Sequence, residues 1–325
     1  MKAKYIVSLG EILFDANPKK GILTIGGAPS NWAIDCHRLI SRKDIKTVVV
    51  SAVGNDRLGQ IALDFLDNCK IGSLVARVPD KETGSVNVSY DETNNPHYEI
   101  VKDVAWDYID FENATREEKA LLEDVRANCC AVCWGTLGQR GAVSRRFIQE
   151  FVGSITSPDT IKVYDPNIRE VPDAENKEII HKSLLLANVL KLGHEEVDII
   201  GELFGLFPPV NKPGENKGTV KDYMERSKIL FDKFPNINMV IVTLSDRGSH
   251  IITRNGEVSS REANQVKDAK PVGCGDSFLA GVIASLVCGK DLDYAHRKGS
   301  EVSCFVAQND SATPELPQEY VIDMP

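Results

Sequence analysis

No stretch of this 325-residue chain stays apolar for the roughly 20 residues that a membrane-spanning helix requires. The first apolar run, residues 5–9, is too short for a secretory signal, and Glu11 and Asp15 interrupt the residues beyond it. A soluble, cytoplasmic protein is the expectation. Positive charge is in deficit: 38 Lys and Arg stand against 47 Asp and Glu, a formal charge of −9. That argues against nucleic acid or an anionic membrane as a partner, and leaves room for a local basic pocket. The eight cysteines are scattered, and the segment Cys129-Cys130-Ala131-Val132-Cys133 holds the one Cys-x-x-Cys. Neither a second pair nor a nearby histidine completes a zinc set, so these thiols read as small hydrophobes on a buried strand. Internal repeats and low-complexity tracts are absent as well.

What the chain has is alternation. Short apolar runs at residues 5–9, 47–52, 129–134, 161–164, 188–192 and 239–244 read as strands. Helical patterns at 28–40, 58–68, 116–127, 142–153, 174–186, 194–203 and 220–234 lie between them. A hairpin, 249–253 with 257–260, turns at Arg254-Asn255-Gly256 and precedes two more helices, 276–288 and 292–308. Such βαβ units predict an α/β fold: a doubly wound, mostly parallel sheet flanked by helices, with ligands at the carboxyl ends of the strands. The expectation is one domain over residues 1–325. Two stretches break the rhythm, 12–14 with 22–24 and 85–91 with 97–101, and read as antiparallel pairs. They predict a small β-sheet lid, formed by about 11–25 and 84–107, that would shield a reactive group from water.

Gly273-Cys274-Gly275-Asp276 stands directly before the apolar run 277–287. Glycines on either side of a small residue let the backbone turn tightly and approach a ligand. The first N–H groups of the ensuing helix have no partner inside it and suit phosphate or developing negative charge. Asp276 in the first turn could take a proton from a substrate hydroxyl. An anion hole beside a carboxylate is what phosphoryl transfer to an alcohol needs. The plainer reading is a loop entering a core helix, with Asp276 complementing the dipole.

Other motifs add to this one. They are Gly10-Glu11-Ile12-Leu13-Phe14-Asp15, Gly26-Gly27-Ala28-Pro29-Ser30-Asn31-Trp32-Ala33, Gly54-Asn55-Asp56-Arg57-Leu58-Gly59, Asp165-Pro166-Asn167-Ile168-Arg169 and Ser311-Ala312-Thr313-Pro314-Glu315-Leu316-Pro317. In this order, over residues 5–317, the chain resembles the PfkB (ribokinase-like) carbohydrate kinases, and among them the fructokinases. The resemblance implies Mg-ATP as donor and a sugar as acceptor. It implies Asp276 as general base, the backbone of Gly273, Cys274 and Gly275 as anion hole, and Arg169 directed into the cleft. Asp15, Gly26, Gly27, Asn31 and Asn167 would bind the sugar, where Asp and Asn suit hydroxyls that both donate and accept. Trp106 would pack on a sugar face or, equally, sit at the edge of the core. Lys191, Thr243, Ser245, Gly248, Lys270 and Asn309 would lie on the nucleotide side, with Glu196 arranging water around Mg²⁺.

The chain departs from the family pattern at three places. Lys270-Pro271 replaces the usual Asp-Thr whose Asp helps hold a monovalent cation, so the Lys270 ammonium is expected to supply that charge in place. Gly193 replaces the Asn of an Asn-x-x-Glu motif that keeps Glu196. Ser245 replaces a glycine in Thr243-Leu244-Ser245-Asp246-Arg247-Gly248, a change that strains the backbone if the position needs a positive φ. Three alternatives stay open: a 2-keto-3-deoxygluconate kinase, a phosphosugar kinase using Lys19 and Lys20, and a sugar-binding pseudokinase with impaired nucleotide handling. A homodimer formed through the lid is a further expectation.

Overall fold

The computed structural model describes residues 3–17, 22–90, 96–168, 172–209 and 218–322. Strand β1 (Lys4–Leu9) is buried from Tyr5 onward, as a strand covered on both faces must be. It pairs in parallel with β4 (Ile45–Gly54) on one side and β8 (Cys129–Trp134) on the other. Beyond β4 lies β5 (Gly72–Val78); beyond β8 come β9 (Ile161–Tyr164), β10 (Val189–Gly193) and β11 (Met239–Thr243), all parallel. The antiparallel hairpin β12 (Ser249–Thr253) and β13 (Val258–Arg261) completes nine strands. Edge strand β5 is the one that periodicity does not announce. It buries only Leu74, so it lacks the continuous apolar run of an interior strand.

Alternate residues of each strand feed two cores. Val7, Leu9, Val50, Val132 and Trp134 face α3 (Arg116–Ala127), α4 (Ala142–Ser154), α5 (Ala174–Leu186), α6 (His194–Phe204) and α7 (Val220–Lys233). Ile6, Val49, Val53, Ala131 and Cys133 face α1 (Ala28–Leu39), α2 (Arg57–Asn68), α8 (Cys274–Val287) and α9 (Leu292–Ala307). This is the doubly wound sandwich that the alternation predicts. Helices α8 and α9 approach unusually closely, because a Cβ on Gly281 would meet Gly299 Cα at 2.6 Å.

A separate four-stranded sheet has the order β3–β2–β6–β7: β2 (Leu13–Asn17), β3 (Ile22–Gly26), β6 (Gly84–Tyr90) and β7 (Pro96–Ile100). The two antiparallel pairs join through a parallel β2–β6 contact. Lys19 and Lys20 fall outside the described residues. All eight cysteines are free, and burial pushes the Cys130 thiol up to about 11. Among the described residues no group of three His, Cys, Asp or Glu side chains converges as a metal set, and no helix is long and apolar enough to cross a membrane.

Candidate active site

The carboxyl ends of the parallel strands and the first turns of α1 and α8 meet in one place. Gly273 caps α8 with φ +83°, a left-handed conformation that disfavours any side chain. A Cβ there would run into the backbone of Ala312. The Ser277 N–H closes the first turn onto Gly273 O at 2.9 Å, while the Cys274 N–H donates to Pro271 O at 3.2 Å. Of the three expected anion-hole amides, that of Cys274 is therefore turned back onto its own loop. Gly275 is the second residue of α8, and Lys191 Nζ lies 3.6 Å from where a Gly275 Cβ would project.

Asp276 is reached from the opposite end of the chain. Asn31, in the first turns of α1, donates its side-chain N–H to Asp276 Oδ2 at 2.9 Å across 245 positions of sequence. Gly27 makes the entry to α1 possible: its φ is +111°, and a Cβ there would collide with Glu11 O. Gly26 leaves room for Asp15, whose Oδ2 would be 3.1 Å from a Cβ at that position. A pocket between these elements is lined by Glu11, Trp32, Thr136, Asp165, Asn167 and Asp276. Asn167 holds a left-handed φ of 47°, which asparagine tolerates better than most residues.

Buried charge surrounds the ends of β9 and β10. The Lys191 ammonium is 3.2 Å from Asp165 Oδ1. Burial alone would lower its pKa, but the carboxylates of Asp165, Glu196 and Asp276 outweigh that and hold it above the usual lysine range. Glu196 accepts the N–H of Gly193 at 2.6 Å and of Ile168 at 2.7 Å, so its two oxygens tie β10 to the loop after β9. Burial raises its carboxyl above the ordinary value, against the pull of Lys191. Gly193 and Thr243 are register partners at the ends of β10 and β11. Beyond them, Ser245 does take a positive φ, 56°, and Gly248 one of 99°.

Not every expected residue converges here. The Lys270 ammonium pairs with Asp310 at 2.8 Å and is half exposed, so its charge is drawn to the end of α9. Asn309 caps the same helix end, donating to Phe305 O at 2.7 Å. Trp106 has no exposed surface. Arg140 stacks 3.8 Å over its ring and Gly84 abuts its indole nitrogen, which places it in the core beneath the small sheet. Arg169 lies outside the described residues. Sequence reasoning passed over Glu11, Trp32 and Asp165 as site residues although all three sit inside recognisable motifs; Thr136 carried no signal.

The model of the pfkB family of carbohydrate kinases matches residues 3–319. An ATP-dependent 6-phosphofructokinase of Thermoanaerobacterium thermosaccharolyticum is 25% identical over 299 residues, covering 90% of this chain and 81% of that protein. A 5-dehydro-2-deoxygluconokinase of Bacillus licheniformis is 21% identical over 325 residues, covering 96% and 92%. Among solved structures, the fructokinase of Vibrio cholerae bound to fructose, ADP and calcium ion superposes with a TM-score of 0.71 at 19% identity, covering 97% and 96%.

Proposed function

The chain belongs to the pfkB family of carbohydrate kinases, and from that premise we propose that it moves the γ-phosphoryl group of Mg-ATP to a hydroxyl of fructose or a related neutral keto sugar. The observation that carries this reading is the 2.9 Å bond between Asn31 of the sugar-side motif and Asp276. Asp276 takes the hydroxyl proton as the sugar oxygen attacks the γ-phosphorus and ADP leaves. A carboxylate is a weak base for an alcohol, so positioning and charge stabilisation supply most of the rate. The Gly275 amide and the Lys191 ammonium face the charge that shifts during transfer. Asp15, Asn31 and Asn167 orient the sugar, and the small sheet acts as the lid of a single domain.

Mg²⁺ would arrive with the nucleotide and neutralise its β- and γ-phosphates. Both Glu196 oxygens already accept backbone amides, which suits holding metal-bound water rather than the metal itself. The carboxylates of Glu11, Asp165 and Asp276 around the pocket favour a neutral acceptor over an anionic one. A sugar-acid substrate, which the 5-dehydro-2-deoxygluconokinase relatives support, would draw on Arg169. The outer lid strands β3 and β7 each pair on one side only, which gives a lid-to-lid dimer a backbone edge to use. Sedimentation velocity decides that point.

Coupled ADP release over fructose, fructose 6-phosphate, 2-keto-3-deoxygluconate and 5-dehydro-2-deoxygluconate tests the function. Fructose should give the highest kcat/KM, and Asp276→Asn should lose at least about 100-fold in kcat. Saturable sugar binding without any turnover would replace this reading with that of a sugar-binding pseudokinase.

A further inference from the structure

Asp35 sits in the middle of α1 with no exposed surface, one helical turn beyond Asn31. Neither of its carboxylate oxygens has a hydrogen-bond partner among the described residues. The face of α1 it belongs to is turned to α8, because Asn31, four residues earlier and on the same side of the helix, bonds Asp276 of α8. Position 31 holds Asp276, and position 38 carries the Arg38 guanidinium, which donates to Thr313 O at 2.7 Å and Pro314 O at 2.9 Å. Asp35 therefore stands between the residue that holds the proposed base and the residue that clasps the segment abutting Gly273. No hydrogen bond among the described residues accounts for a carboxyl here, and an unpaired ionised one is costly in such a place.

We propose that Asp35 is a positioning residue for Asp276: as a neutral acid it lets Asp276 stand as the anion of the pair, and its ionisation switches the site off. The inference rests on Asp276 being the base. Burial pushes the Asp35 carboxyl well above the usual value, Arg38 pulls it back, and the Asp276 charge adds to the push. While Asp35 keeps its proton, Asp276 carries the local negative charge and can accept a proton from the sugar. Once Asp35 ionises, a second buried charge opposes both Asp276 and the nucleotide phosphates, so activity falls as pH rises. The other groups that face this region are the thiols of Cys36, Cys130, Cys133 and Cys288, Glu11, and the Lys191 ammonium facing Asp276. They remain in any Asp35 variant, so a difference between variant and wild type reports Asp35.

Two measurements test the proposal. Infrared difference spectroscopy, wild type minus Asp35→Asn at neutral pH, should show the C=O stretch of a protonated carboxyl that the variant lacks. The alkaline limb of the kcat/KM profile for ATP should move up by at least one pH unit in Asp35→Asn, whose amide cannot ionise. Absence of the carboxyl band would show an ionised Asp35 and overturn the proposal. So would a band accompanied by an unshifted limb, since the carboxyl would then be neutral without acting on the site. If Asp35→Asn does not fold, Asp35→Ala serves for both readings. The infrared band does not depend on the base assignment, which Asp276→Asn tests separately.

Discussion

Gly273→Ala probes the local geometry on which the proposed anion hole rests. At φ +83° an added methyl costs about 1 kcal/mol in backbone strain. It must also displace the backbone of Ala312, which cannot swing aside as a flexible side chain could. Overpacking of that kind typically costs about 1–3 kcal/mol. Together these come to about 2–4 kcal/mol. With an unfolding entropy of about 2.1 cal/mol/K per residue, a chain of 325 residues should lose about 3–6 °C in Tm. The functional effect should be larger, because the start of α8 must shift to make room, and a misplacement of about 1 Å at a reacting centre can cost about 100-fold in kcat. The sugar KM should change less, since Asp15 and Asn31 belong to β2 and α1. Calorimetry and coupled ADP release read the two effects. A variant within about threefold of wild type in kcat, and within about 1 °C in Tm, would refute the claim that this turn positions the phosphoryl site.

Other perturbations have defined directions. Asn31→Ala removes a hydrogen bond to a carboxylate and should cost about 1.5–3 kcal/mol in kcat/KM, roughly 10- to 150-fold, with little loss of Tm. Lys191→Met leaves Asp165 buried without its ammonium and should destabilise by about 3–5 kcal/mol in denaturant titrations. Because the folded pKa of Lys191 lies above the unfolded one, that advantage should hold from pH 7 to about 10 and decline only above it. His296 is buried between the hydroxyls of Ser249 and Ser259, and burial, with help from Arg261 and His250, lowers its pKa from 6.5 to about 4. The unfolded chain binds that proton more readily, so wild type should lose stability as pH falls through this window, and His296→Asn should flatten the loss. Ser245→Gly removes left-handed strain and should not lower Tm, the gain of about 1 kcal/mol being partly offset by the freer unfolded chain.

The interior of the fold was legible because strands buried on both faces leave uninterrupted apolar runs: β8 matches its expected bounds residue for residue, and so does β9, although Lys162 interrupts it. Edge strand β5 was not, since Gly72, Ser73 and Arg77 face solvent or a partly covered surface and break any run. At the site, motifs singled out Asn31, Asn167 and Asp276, which lie together because each stands at a turn that its own motif builds, as the bond from Asn31 to Asp276 shows. What stayed hidden depends on contacts between distant segments. Trp106 reads alike whether it faces a sugar or, as here, lies under Arg140. Lys270 stands four residues before Cys274, yet its side chain pairs with Asp310 instead. Asp35 looks like one polar residue in an amphipathic helix until α8 is laid over it.

The crossing of Gly281 with Gly299 has a consequence for how α8 is aimed. With no side chain to yield at the crossing, the helix is pinned about 10 Å behind Cys274 at 1.5 Å per residue. It behaves there as a lever on a fixed fulcrum. A tilt of only about 6° at that fulcrum would carry the Cys274 end, the proposed phosphate side, about 1 Å sideways, as far as one misplaced methyl can. Residues along the α8–α9 seam, remote from the proposed sugar and nucleotide sites alike, thereby govern where the start of α8 points.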